Sequence, residues 1–153
     1  MIAYEGMYHA IESEFEKVKE IFYLHKKWFP HIRTDYMKRM IAKRNLILEN
    51  DVVITYHFYK RKQKIGDIQA FKGDCILHQI VAKTKGTASD VLQRFFKFVN
   101  RVEHTKVYLS VRSDNQLAKS FYLKNNMKLV GKTTWAKGTL PGDVFAYNNG
   151  EEK

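Results

Sequence analysis

The segment that most restricts the fold is residues 75–102. CILHQIVA is a compact apolar run of strand character, and it breaks at KTKGTA around Gly86. SDVLQRFFKFVNRV then sets Val91, Leu92, Phe95, Phe96 (or Phe98) and Val99 at helical steps. A buried strand that turns through glycine into an amphipathic helix places the chain in the α/β class. The rhythm repeats downstream. KVYLSV reads as a strand, NQLAKSFYLKNN as a helix capped by Asn115 with Leu117, Phe121 and Leu123 or Lys124 along it, and MKLVGKTTW as a strand. A turn at Pro141-Gly142 should then lead to a last strand, DVFAYN.

Upstream, FEKVKEIFYLHKKWF places Phe15, Val18, Ile21 or Phe22, and His25 on one helical stripe, predicting a helix from Glu14 to Trp28 that Pro30 ends. A second helix is expected from Thr34, as N-cap, to about Arg44, with Tyr36, Met37, Met40 and Ile41 inward. LILENDVVITYHFY reads as a hairpin around Glu49-Asn50-Asp51, and KRKQKIGDIQAFKGD as a loop or irregular edge. The expectation is one α/β domain over 1–149, a mixed, mostly antiparallel sheet flanked by helices, with a tail at 150–153.

No apolar run approaches the ~20 residues that span a bilayer. The acidic, amphipathic start MIAYEGMYHAIESEFE lacks the pattern of a signal peptide. The single cysteine, Cys75, leaves no intramolecular disulfide and fits a reducing compartment, so a cytoplasmic protein with no membrane partner is expected. The charge is distinctive. The chain carries 27 Lys and Arg against 16 acids, net +11. Residues 17–64 concentrate 13 cations against 4 acids. Such a field either attracts an anionic partner or solubilises a surface.

The 75–102 segment is also where chemistry is expected. A strand that opens a helix through a glycine turn presents backbone N–H groups and the positive end of a helix dipole, which together suit an anion. Gly86 permits a tight backbone, Thr87 and Ala88 are small, and Lys83 and Lys85 add charge. Glycine at such a turn can equally serve geometry alone.

Two motifs in order carry a resemblance. Lys83-Thr84-Lys85-Gly86-Thr87-Ala88 follows the strand, with lysine where the related pattern has Gln or Arg, and Asn115, Ala118, Phe121-Tyr122 and Asn126-Met127 follow in the next unit. Asn126-Met127 departs from the usual Gly-Phe, but Asn tolerates left-handed dihedrals and Met can replace a buried Phe. Together they resemble the GCN5-related N-acetyltransferase (GNAT) superfamily, over about residues 14–148 in element order and most sharply over 75–130. The resemblance implies the acyl-CoA N-acyltransferase fold and an acyl-CoA donor, most simply acetyl-CoA. It implies a pyrophosphate on the amides of Lys85, Gly86, Thr87, Ala88 and Ser89 beside Lys83, and a pantetheine between strands 75–81 and 107–111, bonded by main-chain groups of Ile80 and Val81 and by Asn115. Asp90 would repel phosphate unless it points outward.

Transfer to an amine needs a proton acceptor for the ammonium and a donor for the leaving thiolate. Tyr122 matches the family's donor position, although a packed aromatic next to Phe121 would look the same in sequence. The family's usual Glu is missing from strand 75–82. His78 is the nearest titratable substitute, weighed against a satisfied buried histidine, and Glu49 is a further candidate that could instead shape its hairpin turn. Ser110 and Cys75 lack an adjacent base. His9, His25, His31, His57, His78 and His104 show no paired metal spacing, so no metal is expected.

The acceptor side is expected to be walled by residues 25–36, 60–73 and 134–143. Lys60, Arg61 and Lys62, with aromatics such as Trp28, Phe29, Tyr59 and Trp135, suit phosphates and bases, which makes DNA or RNA a possible acceptor. The same aromatics would equally serve to complete a core beneath a solvated basic face. The layout also resembles the Mom-type DNA-modification branch of the superfamily. Two alternatives therefore stand beside amine acetylation: modification of a nucleobase, and a non-catalytic nucleic-acid-binding module on the same fold.

Overall fold

The computed structural model describes residues 2–30, 32–103, 105–135 and 137–148. His31, His104, Asn149 and the expected tail lie outside the described residues. In chain order the elements are β1 (Ile2–Tyr4), β2 (Met7–His9), α1 (Phe15–Tyr23), α2 (Thr34–Ala42), β3 (Leu46–Glu49), β4 (Val52–Phe58), β5 (Gln63–Ile65), β6 (Ile68–Ala70), β7 (Cys75–Ala82), α3 (Ala88–Val102), β8 (Lys106–Arg112), α4 (Gln116–Lys124), β9 (Lys128–Trp135) and β10 (Leu140–Asn148). Eight strands are hydrogen-bonded in the order β1-β2-β3-β4-β7-β8-β10-β9, and β5 and β6 form a separate pair. β7 runs parallel to β8, whereas β1/β2, β2/β3, β3/β4, β8/β10 and β9/β10 are antiparallel. This is the mixed, mostly antiparallel α/β sheet expected.

Packing divides into two compact units, residues 1–56 with 78–98 and residues 57–77 with 99–153, so that β7 and α3 each contribute to both. In the first unit, Val18, Ile21 and Phe22 of α1 meet Met37, Met40 and Ile41 of α2 over Leu46, Leu48, Val53 and Val81. Each such side chain, taken fully out of water, contributes about 1.5–3 kcal/mol. A second cluster there is aromatic: the Tyr56 ring lies 5.3 Å from Phe95 and 5.7 Å from Phe98, both edge-on. His9 is buried within it, its Nε2 2.7 Å from the Tyr56 hydroxyl. Burial lowers the His9 pKa, so the ring is held neutral.

In the second unit Ile65, Ala70, Ile76, Tyr108 and Val144 form the core. Asp143 is buried at its edge and accepts from Ser113 Oγ at 2.9 Å. Its oxygens lie 2.8 Å from Lys132 Nζ and 2.9 Å from Lys119 Nζ. The Lys132 and Lys119 ammoniums pull its pKa down to about 2.

Several local expectations are corrected. The first helix ends at Tyr23 and the chain continues in turns as far as Trp28. Leu24 is 57% exposed there, because the apolar stripe is already complete at Phe22. Thr34 lies inside α2 and extended Arg33 precedes it, with no side-chain cap. The stretch after β4 expected as a loop or irregular edge forms the regular β5–β6 hairpin, whose turn residue Asp67 accepts from Lys132 N–H through Oδ1 and donates its own N–H to Lys132 C=O. The β1–β2 hairpin, unread in sequence, precedes α1.

Pro141-Gly142 lies within β10, and the turn falls at Lys137-Gly138. Gly142 is there for close approach: a Cβ on it would strike the Trp135 ring, packed across from β9. On α4 the buried residue is Tyr122, whereas Leu117 and Leu123 are 86% and 57% exposed. By contrast, all the expected inward positions of α3 are buried: Val91, Leu92, Phe95, Phe96, Phe98 and Val99. Asn126 has φ +71° and Met127 is buried, as their replacement of Gly-Phe required.

Candidate functional site

The turn after β7 is held at its origin from two sides. The β3–β4 hairpin closes through Asn50 and Asp51, both at positive φ (50° and 58°), the geometry of a two-residue type I′ turn. Asp51 C=O then accepts the Lys83 N–H at 2.9 Å. The Asp51 carboxylate is occupied by Lys17 at 2.7 Å, which lowers its pKa. From the other side His25 Nε2 lies 2.8 Å from Ala82 C=O and, facing a carbonyl, must donate. Residues 82 and 83 are thereby fixed before the chain enters KTKGTA.

Within the turn Gly86 has φ +94°, and a Cβ placed there would meet nothing within 4 Å. The glycine therefore serves its dihedral and leaves the space above the backbone open. Thr87 Oγ1 donates to Thr84 C=O at 2.9 Å, bracing the turn. α3 begins at Ala88, and the amides of its first turn have no intrahelical acceptor. Lys83, Lys85 and Gly86 are exposed, and Thr87 and Ala88 half-buried. Ser89, the second residue of the helix, is also exposed. Asp90 is exposed and lies 3.4 Å from Arg94 Nε one helical turn on, so a guanidinium balances its charge. The same Arg94 pairs with buried Glu49, which also accepts the Tyr8 N–H at 2.6 Å. Glu49 is thus bound into the fold, and its oxygens are engaged.

On β7 the expectation of a buried His78 is corrected: the side chain is exposed. Its neighbour Gln79, unread in sequence, is held by side-chain hydrogen bonds. Gln79 Oε1 accepts from the Tyr36 hydroxyl at 3.0 Å and from the Thr55 hydroxyl, and Thr55 Oγ1 accepts the Gln79 N–H at 3.1 Å. Successive strand residues face opposite sides of a sheet, so His78 and Gln79 do not share a face. That pleat was a signal available in sequence. Ile80 is half-buried and Val81 buried, which leaves main-chain groups as their means of binding anything. Cys75 is buried and its thiol pKa is pushed up by burial, away from nucleophilic use.

In the second unit Asn115 caps α4, its Oδ1 accepting from Ala118 N–H at 3.1 Å. The ring of Tyr122 packs edge-on against Phe121, with centroids 5.5 Å apart, and near Phe145 at 5.9 Å. Burial raises its phenol pKa, so the proton stays on through any working pH. Lys60, Arg61 and Lys62 are exposed between β4 and β5. Trp28 is half-buried in the first unit. Among the described residues no group of three metal-ligating side chains converges, and no helix is long and apolar enough to cross a membrane.

No family model and no curated relative matches the chain. Solved structures do. A ribosomal-protein-alanine N-acetyltransferase from Brucella melitensis superposes with a TM-score of 0.71 at 10% identity, over 93% of this chain and 98% of that one. The Salmonella typhimurium protein yncA, solved with acetyl-CoA, gives 0.70 at 13% identity over 99% and 97%. A GNAT-family acetyltransferase from Streptococcus pneumoniae gives 0.67 at 14% over 94% and 98%. The fold is that of the GNAT acetyltransferases. None of these three is a DNA-modifying enzyme by its name.

Proposed function

We propose that the chain is an acyl-CoA-dependent N-acyltransferase that moves an acyl group, most simply acetyl, from coenzyme A to an amine. The observation that carries this is the β7–turn–α3 segment: an open, positive-φ glycine directly after Lys83-Thr84-Lys85, ahead of a helix N-terminus and anchored by Asp51 and His25. A diphosphate fits that chemistry through the amides of Lys85 to Ser89, with the cations of Lys83 and Lys85 beside it. Main-chain groups of Ile80 and Val81 would take the pantetheine amides.

In the transfer the amine nitrogen attacks the thioester carbon, a C–N bond forms, the C–S bond breaks and the sulfur leaves with a proton. The nitrogen gives up its own proton to solvent. Tyr122 is the residue assigned to the sulfur. Its raised pKa keeps the phenol protonated for this step; it hydrogen-bonds the departing sulfur, passes its proton to it and regains one from solvent. Asn115 stabilises the helix that presents it, its Oδ1 already committed to the cap.

The test is transfer of labelled acetyl from acetyl-CoA to a panel of amines. Acetylated product from at least one amine, lost in Gly86→Glu, supports the reading; CoA binding without transfer to any amine would argue for a binding module. A second reading, a nucleic-acid partner, draws on the exposed run Lys60, Arg61 and Lys62 with Lys64, none paired to a carboxylate among the described residues. Binding to duplex DNA at ~50 mM salt whose log K falls by several units per log unit of salt would favour it.

A further inference from the structure

The first unit holds a cavity of about 430 Å³ lined by Trp28, Phe29, Arg33, Tyr36, Arg39 and Gln79, among others. Its polar lining is one-sided. With Oε1 of Gln79 filled by two hydroxyls, the two N–H bonds of its Nε2 have no acceptor among the described residues. Arg39 sits over the Tyr36 ring, its guanidinium 5.6 Å from the centroid, and Arg33 contributes a second cation that is shared with Asp35 at 3.1 Å. These are hydrogen-bond donors, and the lining residues include no carboxylate. The remaining walls are aromatic or apolar.

We infer that this cavity is the acceptor site and that it selects an amine whose apolar or aromatic body carries an anionic group, a carboxylate or a phosphate. The inference rests on the acyltransferase reading for the word acceptor, and on the cavity alone for the ligand chemistry. The anion takes the Gln79 Nε2–H bonds and the Arg39 guanidinium, and the body stacks against Trp28, Phe29 and Tyr36. Gln79 is then a specificity residue whose amide is oriented by Tyr36 and Thr55. The positive lining also has a chemical use: neighbouring cations disfavour an ammonium, so the acceptor nitrogen is biased toward its neutral, nucleophilic form without a carboxylate base on β7.

The experiment needs no turnover. Binding of 3-phenylpropionate, phenyl phosphate and the neutral 3-phenylpropan-1-ol is measured by calorimetry on wild type, Arg39→Gln and Gln79→Glu. Gln79→Glu keeps an oxygen for both hydroxyls while replacing the donor by a charge. Wild type should prefer one of the anions over the alcohol by about tenfold, the effect of one charged hydrogen bond. Whichever anion binds tighter identifies the group. Both variants should reduce the preference to about threefold or less. Equal affinity for anion and alcohol, no binding of any probe at millimolar concentration, or an unchanged preference in both variants overturns the inference. Coenzyme A binding, followed by thermal shift in the same samples, reports separately on the donor reading.

Discussion

His25 Nε2 donates to the carbonyl of Ala82 at 2.8 Å, tying the segment after α1 to the last residue of β7. With the Lys83 amide held by Asp51, this fixes where the KTKGTA turn starts. The proposed diphosphate site is made of backbone amides and has no side chain to adjust, so its affinity would depend on such anchors. We expect His25→Ala to weaken coenzyme A binding about tenfold, while His25→Gln, which can still donate, recovers most of it. Titration calorimetry on the two variants checks this; equal loss in both would reduce His25 to packing.

Tyr122 should separate binding from turnover. Tyr122→Phe keeps the ring contacts with Phe121 and Phe145 and removes only the hydroxyl. We expect kcat to fall on the order of 10²-fold with coenzyme A affinity unchanged, the lower end of the range for a lost proton donor. Full turnover in the variant across pH would leave the residue a core aromatic.

His78 makes the complementary case. It is exposed on β7 and lies on the face opposite Gln79, so His78→Ala should leave the pH profile of kcat/KM unmoved. Loss of an acidic limb in that profile would restore it as the base.

Two buried groups set the response to acid. The Asp143 pKa is depressed from its ordinary 3.8 to about 2, so its ion pairs stabilise fully above pH ~4 and lose their effect as pH falls through about 2. The His9 pKa is lowered from 6.5, so the folded state resists the proton that the unfolded chain takes up. Stability is full above ~6.5 and declines as pH falls below it. Denaturant titrations from pH 8 to pH 3 should show the first decline beginning near pH 6.5 in wild type. It should be absent in His9→Gln, provided that variant folds. Asp143→Asn should cost about 2 kcal/mol at pH 7, the scale of a lost charged hydrogen bond, because Lys119 and Lys132 lose their shared partner.

How much of this could be read from residues alone depends on range. The α3 core positions, the Asn50-Asp51 turn, the Asn115 cap and the positive φ of Gly86 are local consequences of spacing and dihedral preference, and all are visible in sequence. The course of the chain after α1 and the β5–β6 hairpin depend on partners far along the chain, Ala82 for His25 and Lys132 for Asp67, and the place of Gly142 depends on the Trp135 ring across the β9–β10 pair. The β7–α3 turn was legible because it is one contiguous strand–turn–helix. The cluster around Gln79 was not, since Tyr36, Thr55 and Gln79 converge from α2, β4 and β7. His78 stands out in sequence because it titrates, whereas Gln79 beside it does not.

The most direct test of the central claim is coenzyme A binding to wild type and to Gly86→Glu, read by calorimetry with circular dichroism to confirm folding. Gly86 faces open space, so the variant introduces a carboxylate at the proposed diphosphate position without displacing a neighbour, at the cost of a strained dihedral. The account predicts saturable one-to-one binding to wild type and at least a hundredfold loss in the folded variant. Equal affinity in both, or no binding to wild type at millimolar coenzyme A, would contradict it.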